Sequence, residues 1–199
     1  MDYDFIEIGT SDFDTEIQIC DEYARGLSID PNQFYLDRLP DKQGVKKLCC
    51  AISNHDGQVD YYYTPLEVII KYNLPSWVRG CSSIGSPHKT VVDLTKDIKE
   101  QVIFSNKVKC IRLETLFKEN NVSSISLLKI DTEGHDSIIL QDSFNAISSM
   151  SYECRPKTII YEANVLSNLE DVQKVNSIYS SIGYEIQVAG ENCVLKLRN

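Results

Sequence analysis

A chain of 199 residues with 42% hydrophobic content can bury one substantial core but not two, so a single domain over 1–199 is expected, alone or within a longer polypeptide. Its formal net charge of −9 argues against nucleic acid as a partner, because that binding needs clustered Lys and Arg to displace counterions. Seven cysteines without CxxC spacing, no apolar run of membrane-spanning length and a start, Met1-Asp-Tyr-Asp4, without a basic or apolar leader predict a cytoplasmic protein with no membrane partner.

Along the chain, apolar segments of strand length alternate with segments of helical period, the pattern of βα units around a mostly parallel sheet. Asp4 to Ile8 reads as the first strand, broken at Gly9, with Ile17, Cys20 and Ala24 at helical spacing behind it. Gly26 to Ile29 is the second, ending at Asp30-Pro31, and Gln33 to Leu39 a short helix. Lys47 to Ile52 reads as one third strand; past the turn Asn54-His-Asp-Gly57, Val59 to Tyr63 is an extra one. Thr64-Pro-Leu-Glu67 has the form of a capping box with Pro at the first helical position, ahead of Leu66, Ile69, Ile70 and Leu74 on one apolar face. Asn73 to Thr90, rich in Gly, Pro and Ser, is the longest irregular segment and reads as an active-site loop that acts as a lid.

Val108 to Ile111 predicts a short strand, and Leu113, Leu116 and Phe117 a short helix. Ile125 to Ile130 is the next central strand, followed by Asp131-Thr-Glu-Gly-His-Asp136 and a helix carrying Ile139, Leu140, Phe144 and Ile147. Lys157 to Tyr161 is another strand, ending in Glu162-Ala-Asn164; Ser167-x-x-Glu170 repeats the capping-box signal before a helix through Val172, Val175, Tyr179 and Ile182. Tyr184 to Val188 and Cys193 to Leu197 form a terminal hairpin with no helix between them.

In an open α/β sheet, ligands bind beyond the carboxyl ends of the strands, and a glycine after strand one lets the backbone approach a ligand. Gly9 fits that role, and a valine there is expected to block the ligand while sparing the fold. The full GxGxxG fingerprint is absent, with Phe13 where a second glycine would be sought. Glu7 and Asp12 would repel a pyrophosphate and suit a cofactor bearing an ammonium and a sulfonium. Asp30, about twenty residues past the glycine turn, is placed to accept hydrogen bonds from both ribose hydroxyls, of NAD or S-adenosylmethionine alike.

The blocks Ile6-Glu-Ile-Gly-Thr-Ser-Asp-Phe-Asp-Thr15, Ala51-Ile-Ser-Asn-His-Asp-Gly57 and, above all, Leu127-Leu-Lys-Ile-Asp-Thr-Glu-Gly-His-Asp136 resemble the three most recognisable blocks of FkbM-type methyltransferases. They stand in the family's order across nearly the whole chain, although Thr10-Ser11 and Phe13 replace the usual Ala-Asn and second glycine. The resemblance implies a class I methyltransferase Rossmann-like sheet, mostly parallel with an antiparallel C-terminal hairpin and helices on both faces. It further implies O-methylation of a hydroxyl on a small-molecule, sugar or glycan acceptor, with S-adenosylmethionine as donor and S-adenosylhomocysteine as product. By the same resemblance Glu7, Gly9, Thr10 and Ser11 surround the methionine part of the cofactor, Asp30 holds the ribose, Ser53 lies near the adenine, and Ser82 and Ser83 sit at the cofactor or substrate edge, with Asp12 a further cofactor-binding candidate.

Lys129, Asp131, Glu133, His135 and Glu162 follow or end the fourth and fifth βα strands and are the catalytic candidates. His135 is the natural base near neutral pH, or else a surface residue in the first turn of a helix. Asp131, Glu162 and Asn164 are all oxygen ligands and offer the alternative of Mg²⁺; Asp131 and Glu133 could instead cap the following helix. His55 and His88 sit in polar loops and read as solvated, while Tyr61-Tyr-Tyr63 and Trp77 could flank a sugar ring or pack in the core. An NAD-dependent oxidoreductase and a non-catalytic cofactor-binding scaffold are the competing functions. Cover for the acceptor is expected from the 73–90 loop, a second copy of the chain in a homodimer, or a neighbouring domain.

Overall fold

The computed structural model describes residues 1–164 and 166–198. Eleven strands are described: β1 (Asp2–Ile8), β2 (Gly26–Asp30), β3 (Val45–Cys49), β4 (Ala51–Ser53), β5 (Gly57–Tyr63), β6 (Ser83–Ile84), β7 (Phe104–Arg112), β8 (Ser124–Ile130), β9 (Thr158–Glu162), β10 (Tyr184–Ala189) and β11 (Asn192–Leu197). The helices are α1 (Glu16–Ile19), α2 (Gln33–Leu36), α3 (Leu66–Lys71), α4 (Lys89–Leu94), α5 (Lys99–Val102), α6 (Leu113–Glu119), α7 (Asp136–Ser148) and α8 (Leu169–Ser181). A seven-stranded sheet has the order β10-β11-β9-β8-β1-β2-β3, parallel except where β11 runs against both β9 and β10.

Alternation along β1 and β8 sends successive side chains to opposite faces. Ile6, Ile8, Leu128 and Ile130 join the main core with Leu116 of α6, Leu140 of α7 and Tyr179 of α8, whereas Phe5 packs with Ile17 and Leu36 beside α1 and α2. Glu7 and Lys129 share Phe5's parity and stand directly opposite each other in the β1–β8 register. The chain leaves β1 toward β3 and returns to β8 on β1's other side. The carboxyl ends of β1, β2 and β8 therefore meet at the point where the strand order reverses, the usual ligand crevice of such sheets.

Four expectations need correction. The run Lys47 to Ile52 is two strands: β3 closes the large sheet, the chain turns at Cys50, and β4 pairs in parallel with β7 in a separate sheet of order β4-β7-β5-β6. Its unbroken apolar character hid the switch because both strands have buried neighbours. Neither capping box forms as read: α3 has Pro65 at its N-cap with no side-chain cap, and α8 is capped by Asn168, whose Oδ1 accepts from Glu170 N at 2.9 Å. Asn73 to Thr90 is irregular only in part, since Ser76–Arg79 forms a 3-10 helix, β6 pairs with β5, and Val78 and Val91 share a small core with Ile69. Asp131 and Glu133 do not cap α7; His135 is at its N-cap, and the buried Asp136 carboxylate accepts from Thr132 N and Glu162 N, both at 2.8 Å. Among the described residues no helix is long and apolar enough to cross a membrane.

Candidate functional site

Gly9 follows β1 with φ +81°, a conformation glycine adopts without strain. Its N–H donates to Ile29 O at 2.8 Å, and Asp131 N donates to Ile8 O at 2.9 Å, so this turn is bound to both neighbouring strands. The following loop is held by side chains. Ser11 N donates to Asp30 Oδ2 at 2.8 Å, and Asn32 N donates to Asp30 Oδ1 at 2.7 Å. Asp30 is 5% exposed, and burial pushes its carboxyl up to about 6 against those two hydrogen bonds.

Beyond this turn lies a narrow cavity of about 50 Å³ that opens at its mouth to solvent. Its floor is the strand ends Ile8, Ile29 and Ile52; one wall is Tyr35 and Tyr61, and the cover is Gly80, Ser82, Ser83 and Ile84. A second, polar chamber is lined by Glu7, Thr10, Asp14 and Lys129, and Gly9, Ser11, Gly80, Asp131 and Glu133 border both spaces. Ser11 Oγ and Tyr61 Oη are buried on these walls without a hydrogen-bond partner. The charged residues of the first cavity are Asp30, Asp131 and Glu133; no Lys, Arg or His lines it among the described residues.

Apart from Glu162 and Asn164, the sequence-predicted residues divide into three groups. Gly9, Ser11, Asp30, Ser82, Ser83, Asp131 and Glu133 line the main cavity, and Thr10 lines the second chamber. Glu7, Asp12 and Lys129 are committed to the framework. Glu7 Oε1 accepts from Lys129 Nζ at 2.8 Å and Oε2 from Glu16 N at 2.9 Å, so both oxygens are used within the fold. Asp12 Oδ2 accepts from Arg38 Nε at 2.6 Å, and Arg79 Nη2 stands 3.3 Å from Oδ1, tying the glycine loop to α2's end and to the cover. The Arg79 guanidinium also lies over Phe13, 4.7 Å from the ring centre, and a Cβ on Gly80 would come within 3.0 Å of that ring. Phe13, which departs from the family pattern, thus serves as a seat for the cover.

Ser53 and His135 form the third group. Ser53 Oγ and His135 Nε2 share a 2.8 Å hydrogen bond, and neither residue lines the cavity. Burial lowers the His135 imidazole to about 4, so it is neutral around pH 7 and a weak base. Asp131 is pushed up to about 6 by burial and then by Glu133, and Glu162 to about 8 by burial, Glu133 and Asp131. Glu162 Oε2 is buried with no partner, whereas Asn164 Oδ1 accepts from Leu166 N at 2.8 Å. His88 is not solvated: it is 7% exposed, and its Nε2 lies 3.0 Å from Glu133 Oε2. His55 is exposed, as read. Sequence reasoning missed Tyr35, whose hydroxyl donates to Arg79 O at 2.8 Å and anchors the cover, and left Tyr61 undecided. Only their packing against residues 79–84 distinguishes them from other strand and helix tyrosines.

Beside the cavity, across Pro31, Tyr35 and Tyr61, runs a groove that includes Phe34, Tyr63, Asn32 and Asn106. Compared with known proteins, residues 6–186 match the family described as the methyltransferase FkbM domain. No curated protein and no solved structure matches the chain.

Proposed function

The chain belongs to the FkbM methyltransferase family, and on that premise we propose that it transfers a methyl group from S-adenosylmethionine to a hydroxyl, most suitably on a sugar or glycan. We read the seven-stranded order, with its one antiparallel strand next to the edge, as the class I methyltransferase arrangement. The observation that carries the donor assignment is the charge of the cavity: Asp30, Asp131 and Glu133 stand on its walls without a basic residue among the described ones. Such a wall repels a dinucleotide's pyrophosphate and attracts a cation, which disfavours the NAD-dependent oxidoreductase. When bound, S-adenosylmethionine supplies an electrophilic methyl group on a sulfonium.

The chain's residues would then act as follows. Asp30 accepts from the ribose hydroxyls with the lone pairs that Ser11 N and Asn32 N leave free. Ser11 Oγ and Tyr61 Oη, both lacking partners, offer further hydrogen bonds, while Ile29, Ile52 and Pro31 suit an adenine face. The acidic second chamber suits the amino-acid end. Asp131, bordering both spaces, takes the acceptor's proton, in preference to His135, which lies off the cavity. Residues 76–84 exclude water above them. The aromatic and amide groove beside the cavity supports a carbohydrate acceptor.

Two measurements test this reading. By calorimetry, Asp30→Ala should weaken S-adenosylmethionine binding by about 1–3 kcal/mol, since the ribose donors lose a buried acceptor. Affinity within twofold of the wild type would remove the ribose assignment. In an S-adenosylhomocysteine release assay over a panel of oligosaccharides, Asp131→Asn should lower turnover by about 10²-fold, with His135→Ala within a few fold of the parent. The opposite ranking would return the base to His135, and binding without turnover on any hydroxyl acceptor would favour the scaffold.

A further inference from the structure

Where the cover meets the loop after β8, Cys81 and His88, to which methyl transfer assigns no role, converge with Glu133 of the cavity wall. Cys81 lies between the 3-10 helix and β6, His88 just ahead of α4, and Glu133 in the loop after β8, where its backbone adopts φ +54°. A sulfur, an imidazole nitrogen and a carboxylate oxygen from these residues all lie within 4.8 Å of one another. His88 is buried to 7% exposure, with Nε2 3.0 Å from Glu133 Oε2 and Nδ1 lacking any hydrogen-bond partner. A buried imidazole set between a carboxylate and a thiol, with one nitrogen unsatisfied, is an unusual expense for a fold that needed only to pin a loop.

We propose that Cys81, His88 and Glu133 form a binding site for a zinc-type divalent cation at the rim of the cleft, with the fourth position open. The donor set selects the metal class: sulfur, nitrogen and oxygen together suit borderline Zn²⁺, whereas Mg²⁺ and Ca²⁺ prefer shells made of oxygen alone. Metal–ligand bonds of about 2.0–2.3 Å require the ligand atoms to close by a rotamer-sized movement. Charge favours the same occupant, because Asp131 stands with Glu133 on the walls of the adjoining cavity and no Lys, Arg or His lines that cavity among the described residues. On binding, the Cys81 proton leaves to solvent, the imidazole coordinates through a nitrogen that carries no proton, and no atom changes oxidation state. The ligands join two positions of the cover to the β8 loop, so the cation clasps the cover over the cleft.

The test is titration of the metal-free full chain with Co²⁺, followed by Zn²⁺. One equivalent of Co²⁺ should bind with intense near-ultraviolet sulfur-to-cobalt absorption and the visible bands of a tetrahedral site, and Zn²⁺ should displace it. Cys81→Ser should abolish the near-ultraviolet band and weaken Zn²⁺ binding by about 100-fold or more, with Cys49→Ser, at an exposed thiol, as the unaffected control. Thermal unfolding checks the fold of Cys81→Ser, and Glu133→Gln should weaken binding comparably if that variant proves unstable. Absence of one-equivalent uptake, or a thiolate band that persists in Cys81→Ser, overturns the site. Calorimetry with S-adenosylmethionine on the same metal-free sample separates the two readings: donor binding without cobalt uptake overturns the cation site alone.

Discussion

Gly9→Val is expected to fail in folding before it fails in binding. A Cβ at this position would sit 1.7 Å from Asp131 O and 2.7 Å from its carbonyl carbon, both backbone atoms at the end of the adjoining strand. No rotamer relieves such a contact, and the hydrogen bonds from Gly9 N to Ile29 O and from Asp131 N to Ile8 O prevent the two strand ends from separating. The φ of +81° adds strain for a β-branched residue. Forcing the backbone contributes about 1–3 kcal/mol, and the left-handed conformation a further 1–2 kcal/mol. Their sum is a large part of the net stability of about 5–15 kcal/mol typical of a domain. A denaturant midpoint far below the parent's is the expected reading. A stable variant that merely loses S-adenosylmethionine binding would restore the simpler view, in which the glycine only makes room for a ligand.

Lys129→Met should be the next most damaging change, and through stability and not chemistry. The Lys129 ammonium is 2.8 Å from Glu7 Oε1, with side chains 21% and 1% exposed respectively. Burial already raises the Glu7 carboxyl, with Lys129 and the Glu16 amide only partly offsetting it. Removing the cation leaves a buried carboxylate with one backbone donor, a type of loss that costs about 3–5 kcal/mol. The sign with pH follows from the raised carboxyl: in the variant, stability is greatest below the ordinary value of 4.5 and falls as pH rises through Glu7's elevated folded value. The double variant Glu7→Gln with Lys129→Met should recover most of the loss at neutral pH. Urea unfolding at pH 7 and pH 4 measures both effects, and a Lys129→Met protein as stable as its parent at pH 7 would remove the framework role.

These two residues mark how far the sequence was legible. The strands of the large sheet and the helices α6, α7 and α8, the position of Gly9 after β1 and of Asp30 at the end of β2, and the acidic strand-end loops were readable because each depends on local patterns of apolar residues and glycine. The carboxyl ends of parallel strands face one way, so Gly9, Asp30 and Asp131 could be assigned to one cleft before any packing was known. What a side chain meets across the sheet was not readable. Lys129 stood among the catalytic candidates from its block, yet its partner Glu7 is 122 residues away and becomes its neighbour only through the β1–β8 register. Ser53 and His135, assigned separate tasks, bond to each other across 82 residues because β4 leaves the main sheet at Cys50. His88, polar in its local context, is buried because the cover folds down onto Glu133, 45 residues away. The sequence by itself determined most of the elements of the large sheet, their alternation and the end of that sheet at which Gly9, Asp30 and Asp131 gather, since these follow from periodicity and backbone preference. Only the tertiary structure decided which charged and polar groups face the cleft and which are consumed inside the fold, because burial and partners are set by contacts between segments that share no sequence signal.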